Sequence, residues 1–180
     1  MPEGMSAGSV SPALVGRGDE LATLDEAFGG TPSTVLIGGE AGIGKSGLVQ
    51  EFGTRAAERA RVLTGGCMEL GGVPYGPFTA ALRQLVHDMG ADRVAALLPK
   101  GGSGELARLL PALGRREVDA DPGMAHARLF EEMLTLLDRL TETEDRRLVL
   151  VIEDAHWADA SSRELLSFLV RNPSRALPLH

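Results

Sequence analysis

One cysteine, Cys67, in 180 residues leaves no internal disulfide and suits a reducing compartment, so the expected location is cytoplasmic. Positive charge is also in short supply. The chain has 25 acidic and 18 basic residues, a net charge of −7. A surface of that sign repels nucleic acid and anionic lipid. No apolar run approaches the ~20 residues of a membrane span. Residues 1–12 hold neither a basic n-region nor an apolar h-region, so no signal peptide is expected there. Lysine is nearly missing: Lys45 and Lys100 are the only two among the 18 basic residues. What is present is ordinary for a globular chain. Hydrophobic residues make up 43%, and the length fits one domain at roughly 150 residues per domain.

Residues 1–12, rich in Gly, Ser and Pro, are expected to form a flexible tail, with the domain over 13–180. Leu21, Leu24 and Phe28 predict a helix over 18–28, broken by Gly29, Gly30 and Pro32. Thr34 to Gly38 (TVLIG) is a short β-branched run and predicts a first buried strand. A helix is expected over 45–59, with Leu48, Val49 and Phe52 on one face. Arg61 to Gly66 predicts a second strand. Further helices are expected over 77–89, 92–98 and 104–113, followed by a mostly polar stretch over 115–122. The clearest amphipathic helix spans 123–140. Leu148 to Ile152 (LVLVI) predicts a third buried strand. A last helix runs to about Arg171, capped by Asp159 or by a Ser161–Glu164 capping box. Strands alternating with helices argue an α/β domain with a parallel sheet. The link from the second strand to the third is about 80 residues and mostly helical. That is long for a crossover and suggests a helical insertion over one sheet face.

Gly39-Glu40-Ala41-Gly42-Ile43-Gly44-Lys45-Ser46 matches G-x-x-x-x-G-K-[ST] between a predicted strand and a predicted helix. The glycines let successive backbone N–H groups turn toward a phosphate, and the helix start adds its positive dipole end. Lys45 would reach the β- and γ-phosphates. Ser46 would offer its hydroxyl to Mg²⁺. The following Gly47 extends the candidate cofactor-binding set. With only two lysines in the chain, a chance match is rare. The plain alternative is a glycine-rich strand-to-helix turn without a ligand.

Glu153 and Asp154 end the LVLVI strand. Phosphoryl-transfer domains need an acid there to hold Mg²⁺, and a second acid can polarise the attacking water. In open α/β sheets the ligand crevice lies at the strand carboxyl ends. Both motifs therefore converge on one sheet edge. Ser46, Glu153 and Asp154 are the candidate Mg²⁺ residues; within the acidic pair, Glu153 is placed nearer the Mg²⁺ and Asp154 in the water-polarising role, a split the sequence leaves open. The alternative is a solvated acidic turn. His156 could contact a phosphate; packing and capping by His156 and Trp157 is the plainer reading. Arg115–Arg116 and Arg146–Arg147 read as short solvated runs. Tyr75 and Phe78 read as anchors, and Cys67 as a small buried hydrophobe at a strand end.

The stretches LVGRGDEL (14–21), GGEAGIGKSGLVQEF (38–52), PYGPF (74–78) and LVLVIEDAHWADASSRELLSFLVR (148–171) resemble the AAA-type ATPase module of large LuxR-type transcriptional regulators, in the STAND class of signal-transducing NTPases. The resemblance covers nearly the whole chain. It implies ATP and Mg²⁺ as ligands and a binding switch with slow hydrolysis. It places Val15, Gly16 and Arg17 near the adenine. It also implies self-association or partner domains of a larger regulator. Such modules carry five parallel strands in spatial order 5-1-4-3-2, of which three are found here. On that resemblance the sheet stops short of its fourth strand, which would begin near 176–180. Two other readings stay open: a degenerate interaction domain without turnover, and a small free-standing ATPase or kinase-like enzyme. No recognition-helix pattern or basic patch points to DNA binding by this chain.

Overall fold

The computed structural model describes residues 16–69, 72–98, 104–114 and 124–173. The expected tail over 1–12, Val15, the polar stretch over 115–122 and the expected fourth strand near 176–180 lie outside the described residues. Seven α-helices and two strands follow in order within them: α1 (Gly18–Gly29), α2 (Lys45–Ala56), β1 (Ala60–Gly66), α3 (Gly76–Met89), α4 (Ala91–Ala96), α5 (Glu105–Leu109), α6 (Ala125–Glu144), β2 (Arg147–Glu153) and α7 (Ala160–Arg171). Strands β1 and β2 pair in parallel, with Ala60 opposite Arg147 and Gly66 opposite Glu153. The α/β class, the parallel pairing and the helical insertion agree with the sequence reading.

Alternation along the strands divides the core in two. Val62 and Val149 face α1 and α2, where Leu21, Leu24, Leu48, Phe52, Ala56 and Ala60 are buried. Leu63, Leu148, Leu150 and Ile152 face the other way, toward the inserted helices and α7. There Phe78, Leu82, Leu85, Leu106, Met133, Leu136, Leu140 and Leu165 are almost wholly buried. Period 2 in the strands and period 3.6 in the helices thus produce helix, sheet and helix layers.

Polar side chains fasten these layers. The buried Glu132 carboxylate on α6 accepts N–H bonds from Gly104 (2.9 Å) and Leu106 (3.0 Å), satisfying the start of α5. Arg61 on β1 grips Glu144, at the end of α6, through two bonds of 2.7 and 2.5 Å. That hydrogen bond, set against desolvation, holds the Glu144 carboxyl below its usual range. Asp159 caps α7 by accepting from the Ser162 N–H at 3.1 Å, so the cap is Asp159 rather than a Ser161–Glu164 box. Burial alone would raise the Asp159 carboxyl. The donors of Ser162 and the backbone N–H of Ser161 outweigh it and leave the carboxyl below its ordinary value.

Three expectations are corrected. Thr34 to Gly38 forms no strand, and Leu36 stands 89% exposed. A strand exists only where a neighbour takes up its N–H and C=O groups, and no described residue does so here. In the expected order a further strand would lie between this segment and β2. Every residue of β2 is correspondingly half-exposed. Arg147 is not a solvated charge. Its guanidinium donates to the carbonyls of Phe28, Gly29 (3.3 Å) and Gly30 (2.9 Å), the C-terminal end of α1, and lies over the Phe28 ring. Helix α2 ends at Ala56, three residues before the predicted end at Arg59, and a turn leads into β1. Tyr75 and Phe78 are buried anchors as expected. Cys67 is at the end of β1 but only half-buried.

Candidate functional site

The glycine loop runs from the unpaired 34–38 segment into α2. Gly39, Gly42 and Gly44 take φ of 153°, 79° and 93°, a region that side chains with a Cβ rarely adopt. Gly44 is the N-cap of α2, and its carbonyl accepts the Leu48 N–H at 3.0 Å. Lys45 folds across the loop, and its Nζ donates to the carbonyls of Gly39 (2.8 Å) and Glu40 (2.9 Å). The ammonium therefore stands over the loop, where an incoming phosphate would replace those carbonyls as acceptors. Arg17, the N-cap of α1, donates from its guanidinium to the Ile43 carbonyl and pairs with Glu20 at 3.6 Å. Gly16 precedes it with φ of 88°.

Glu153 is the last residue of β2, on the sheet face that α2 covers. Ser46 and Glu153 line one groove of about 460 Å³, together with Val49, Gln50, Gly53 and Thr54 of α2, Val62 and Thr64 of β1, and Gln84 of α3. The parallel register and the packing of α2 thus bring together two residues 107 positions apart in sequence. A serine hydroxyl in the first turn of α2 and a carboxylate that lines the same groove are hard oxygen donors of the kind Mg²⁺ prefers. Asp154 is placed differently. It leaves the strand in the left-handed region at φ 52°, is exposed, and opens a 3₁₀ turn over Ala155–Trp157. It does not line the groove. His156 and Trp157 are exposed and pack on each other at 4.9 Å between ring centroids. Gly47 sits in the first turn of α2 and is half-buried.

Gln50, Thr54, Thr64 and Gln84 complete the groove wall and were not singled out from sequence. The spacing of Ser46, Gln50, Gly53 and Thr54 along one helix face would have found the first two. Gln84 accepts the Thr64 N–H at 3.2 Å, a contact with no local signal. Cys67 donates its N–H to the Glu153 carbonyl at 3.0 Å. Burial, then the charges of Asp159 and Asp154, push its thiol up, which favours the protonated form at neutral pH. Among the described residues no group of three or more His, Cys, Asp or Glu could hold a metal on its own, and no helix is long and apolar enough to cross a membrane.

A glycine loop entering a helix, a lysine folded over it, and a strand-end acid sharing a groove with the loop serine define a P-loop NTPase domain. The chain belongs to the AAA ATPase domain family, which matches residues 13–180. It is also similar to a protein of Rhizobium meliloti (strain 1021) named Uncharacterized protein R02095, at 31% identity over 189 aligned positions. That similarity takes in 91% of this chain but only 18% of the relative, so the chain spans less than a fifth of that protein's length. No solved structure matches the chain significantly.

Proposed function

We propose that this chain is an ATP-binding switch module of a larger LuxR-type transcriptional regulator of the STAND class, acting in the cytoplasm. The observation that carries the nucleotide reading is the groove shared by Ser46 and Glu153 at the foot of the glycine loop. The backbone N–H groups of 39–46 and the Lys45 ammonium would hold the phosphates. Ser46 and Glu153 would hold Mg²⁺, with Asp154 just outside to orient water. Bound Mg²⁺ supplies charge neutralisation on the phosphates. Val15 and Gly16 would lie on the base side, with Arg17 next to them. Partner domains or further copies would complete the regulator, and this chain itself would not bind DNA.

The unpaired 34–38 segment also bears on strength. Among the described residues no strand pairs with 34–38, the segment that carries the loop, so holding the loop in place for phosphate would fall more to the ligand and would lower the affinity. Thermal unfolding with and without MgATP tests this. Ligand at about ten times its Kd stabilises by about 1.4 kcal/mol, a shift of only a few degrees at this size. A few degrees at millimolar MgATP is the expected result. No shift contradicts binding, and a shift above roughly 10 °C contradicts weak binding. The same unpaired segment favours a second reading, an interaction domain without turnover, which the absence of a shift would select.

A further inference from the structure

We infer that Arg17 is a positioning residue for the phosphate loop: its guanidinium fixes the Ile43–Gly44 peptide so that the Gly44 N–H points into the phosphate cradle. This rests on the nucleotide reading above and goes beyond it. It gives the guanidinium to the loop, whereas the resemblance gives Arg17 to the base.

Three observations carry it. The guanidinium donates to the Ile43 carbonyl, across 26 residues of sequence. Its Nη2 also lies 3.7 Å from where a Cβ on Gly44 would stand, so it rests against that same peptide. In a trans peptide the C=O and the following N–H point in opposite directions. Holding the Ile43 carbonyl toward Arg17 therefore turns the Gly44 N–H away from it. Gly44 adopts φ 93°, a conformation its neighbours do not enforce through any side chain of its own. The Arg17 guanidinium holds this link from outside the loop.

The clamp is itself held. Glu20 pairs with the guanidinium at 3.6 Å, one turn into α1. The Arg17 carbonyl accepts the Leu21 N–H at 3.1 Å, which seats the residue on the helix start. The far end of α1 is gripped by Arg147 at the start of β2. Arg17 thus connects the loop to a helix fixed on the sheet, in the region where 34–38 supplies no strand.

Displacement of a fluorescent ATP analogue by MgATP and by inorganic tripolyphosphate tests the inference, because tripolyphosphate has no base. Arg17→Ala is expected to weaken both competitors by the same factor, about ten-fold for one charge-assisted hydrogen bond. The unfolding midpoint should stay unchanged, since the side chain is not in the core. Arg17→Lys, which keeps the charge and loses the planar fork, is expected to remain weaker than wild type for tripolyphosphate. A loss confined to MgATP would put the guanidinium at the base and overturn the inference. So would full recovery in Arg17→Lys, equal binding in Arg17→Ala, or a wild type that tripolyphosphate does not displace. A wild type that binds no analogue at all would instead remove the nucleotide reading, and the inference with it.

Discussion

Glycine has two distinct roles in this chain, and they separate residue by residue. In the loop, Gly42 and Gly44 supply left-handed backbone. On β1, Gly65 supplies room. A Cβ there would stand 1.9 Å from the Pro77 carbonyl oxygen, because the first turn of α3 runs directly over the strand. Gly65→Ala must push that backbone away and is expected to cost about 2–3 kcal/mol in urea unfolding. Gly53→Ala is the control. It is mid-helix, and its Cβ would meet only Val62 Cγ1 at 3.7 Å. It should be neutral or stabilise by up to about 1 kcal/mol. Equal effects at the two sites would contradict the close approach of α3. Residues of this scale were unevenly legible in sequence. Lys45 and Ser46 were readable because their chemistry and spacing are rare. Arg147 was not, since a solvated arginine and one that caps a distant helix look alike until the chain folds.

The elements show what periodicity can and cannot foretell. Helix α6 was legible because Leu129, Met133, Leu136, Leu137 and Leu140 line one buried face. Its last turn, Thr141 to Glu144, lacks that signal and lies beyond the predicted end. Strands β1 and β2 were legible as apolar runs, and their neighbours confirm them. TVLIG is a similarly apolar run, yet among the described residues it forms no strand, because pairing belongs to two segments and composition to one. A substitution separates the two states. In a paired buried strand, Leu36→Ser would cost about 2–5 kcal/mol. With the side chain 89% exposed, the expected cost is within about 0.5 kcal/mol, read from the unfolding midpoint. A loss of 2 kcal/mol or more would mean that Leu36 is buried by a neighbour in solution.

At the scale of the whole molecule, the site is a product of topology. The parallel register sets Glu153 at one end of the sheet. The layer formed by α1 and α2 lays the Ser46 helix over the same face. No local pattern states that these two residues share a groove; the α/β alternation and the position of ligand crevices at strand ends did imply it. In the neutral wall, Gln50 and Thr54 follow from the spacing along α2, whereas Thr64 and Gln84 were not implied, because their contact arises from the inserted helix α3 meeting β1. Nucleotide binding by this molecule would rest on Lys45, the lysine that its composition makes so conspicuous. Titration of a fluorescent ATP analogue with Mg²⁺ against the wild type and Lys45→Ala tests it most directly. Saturable, weak binding to the wild type that falls at least about ten-fold in Lys45→Ala is the expected result. Equal binding by the two proteins would contradict it.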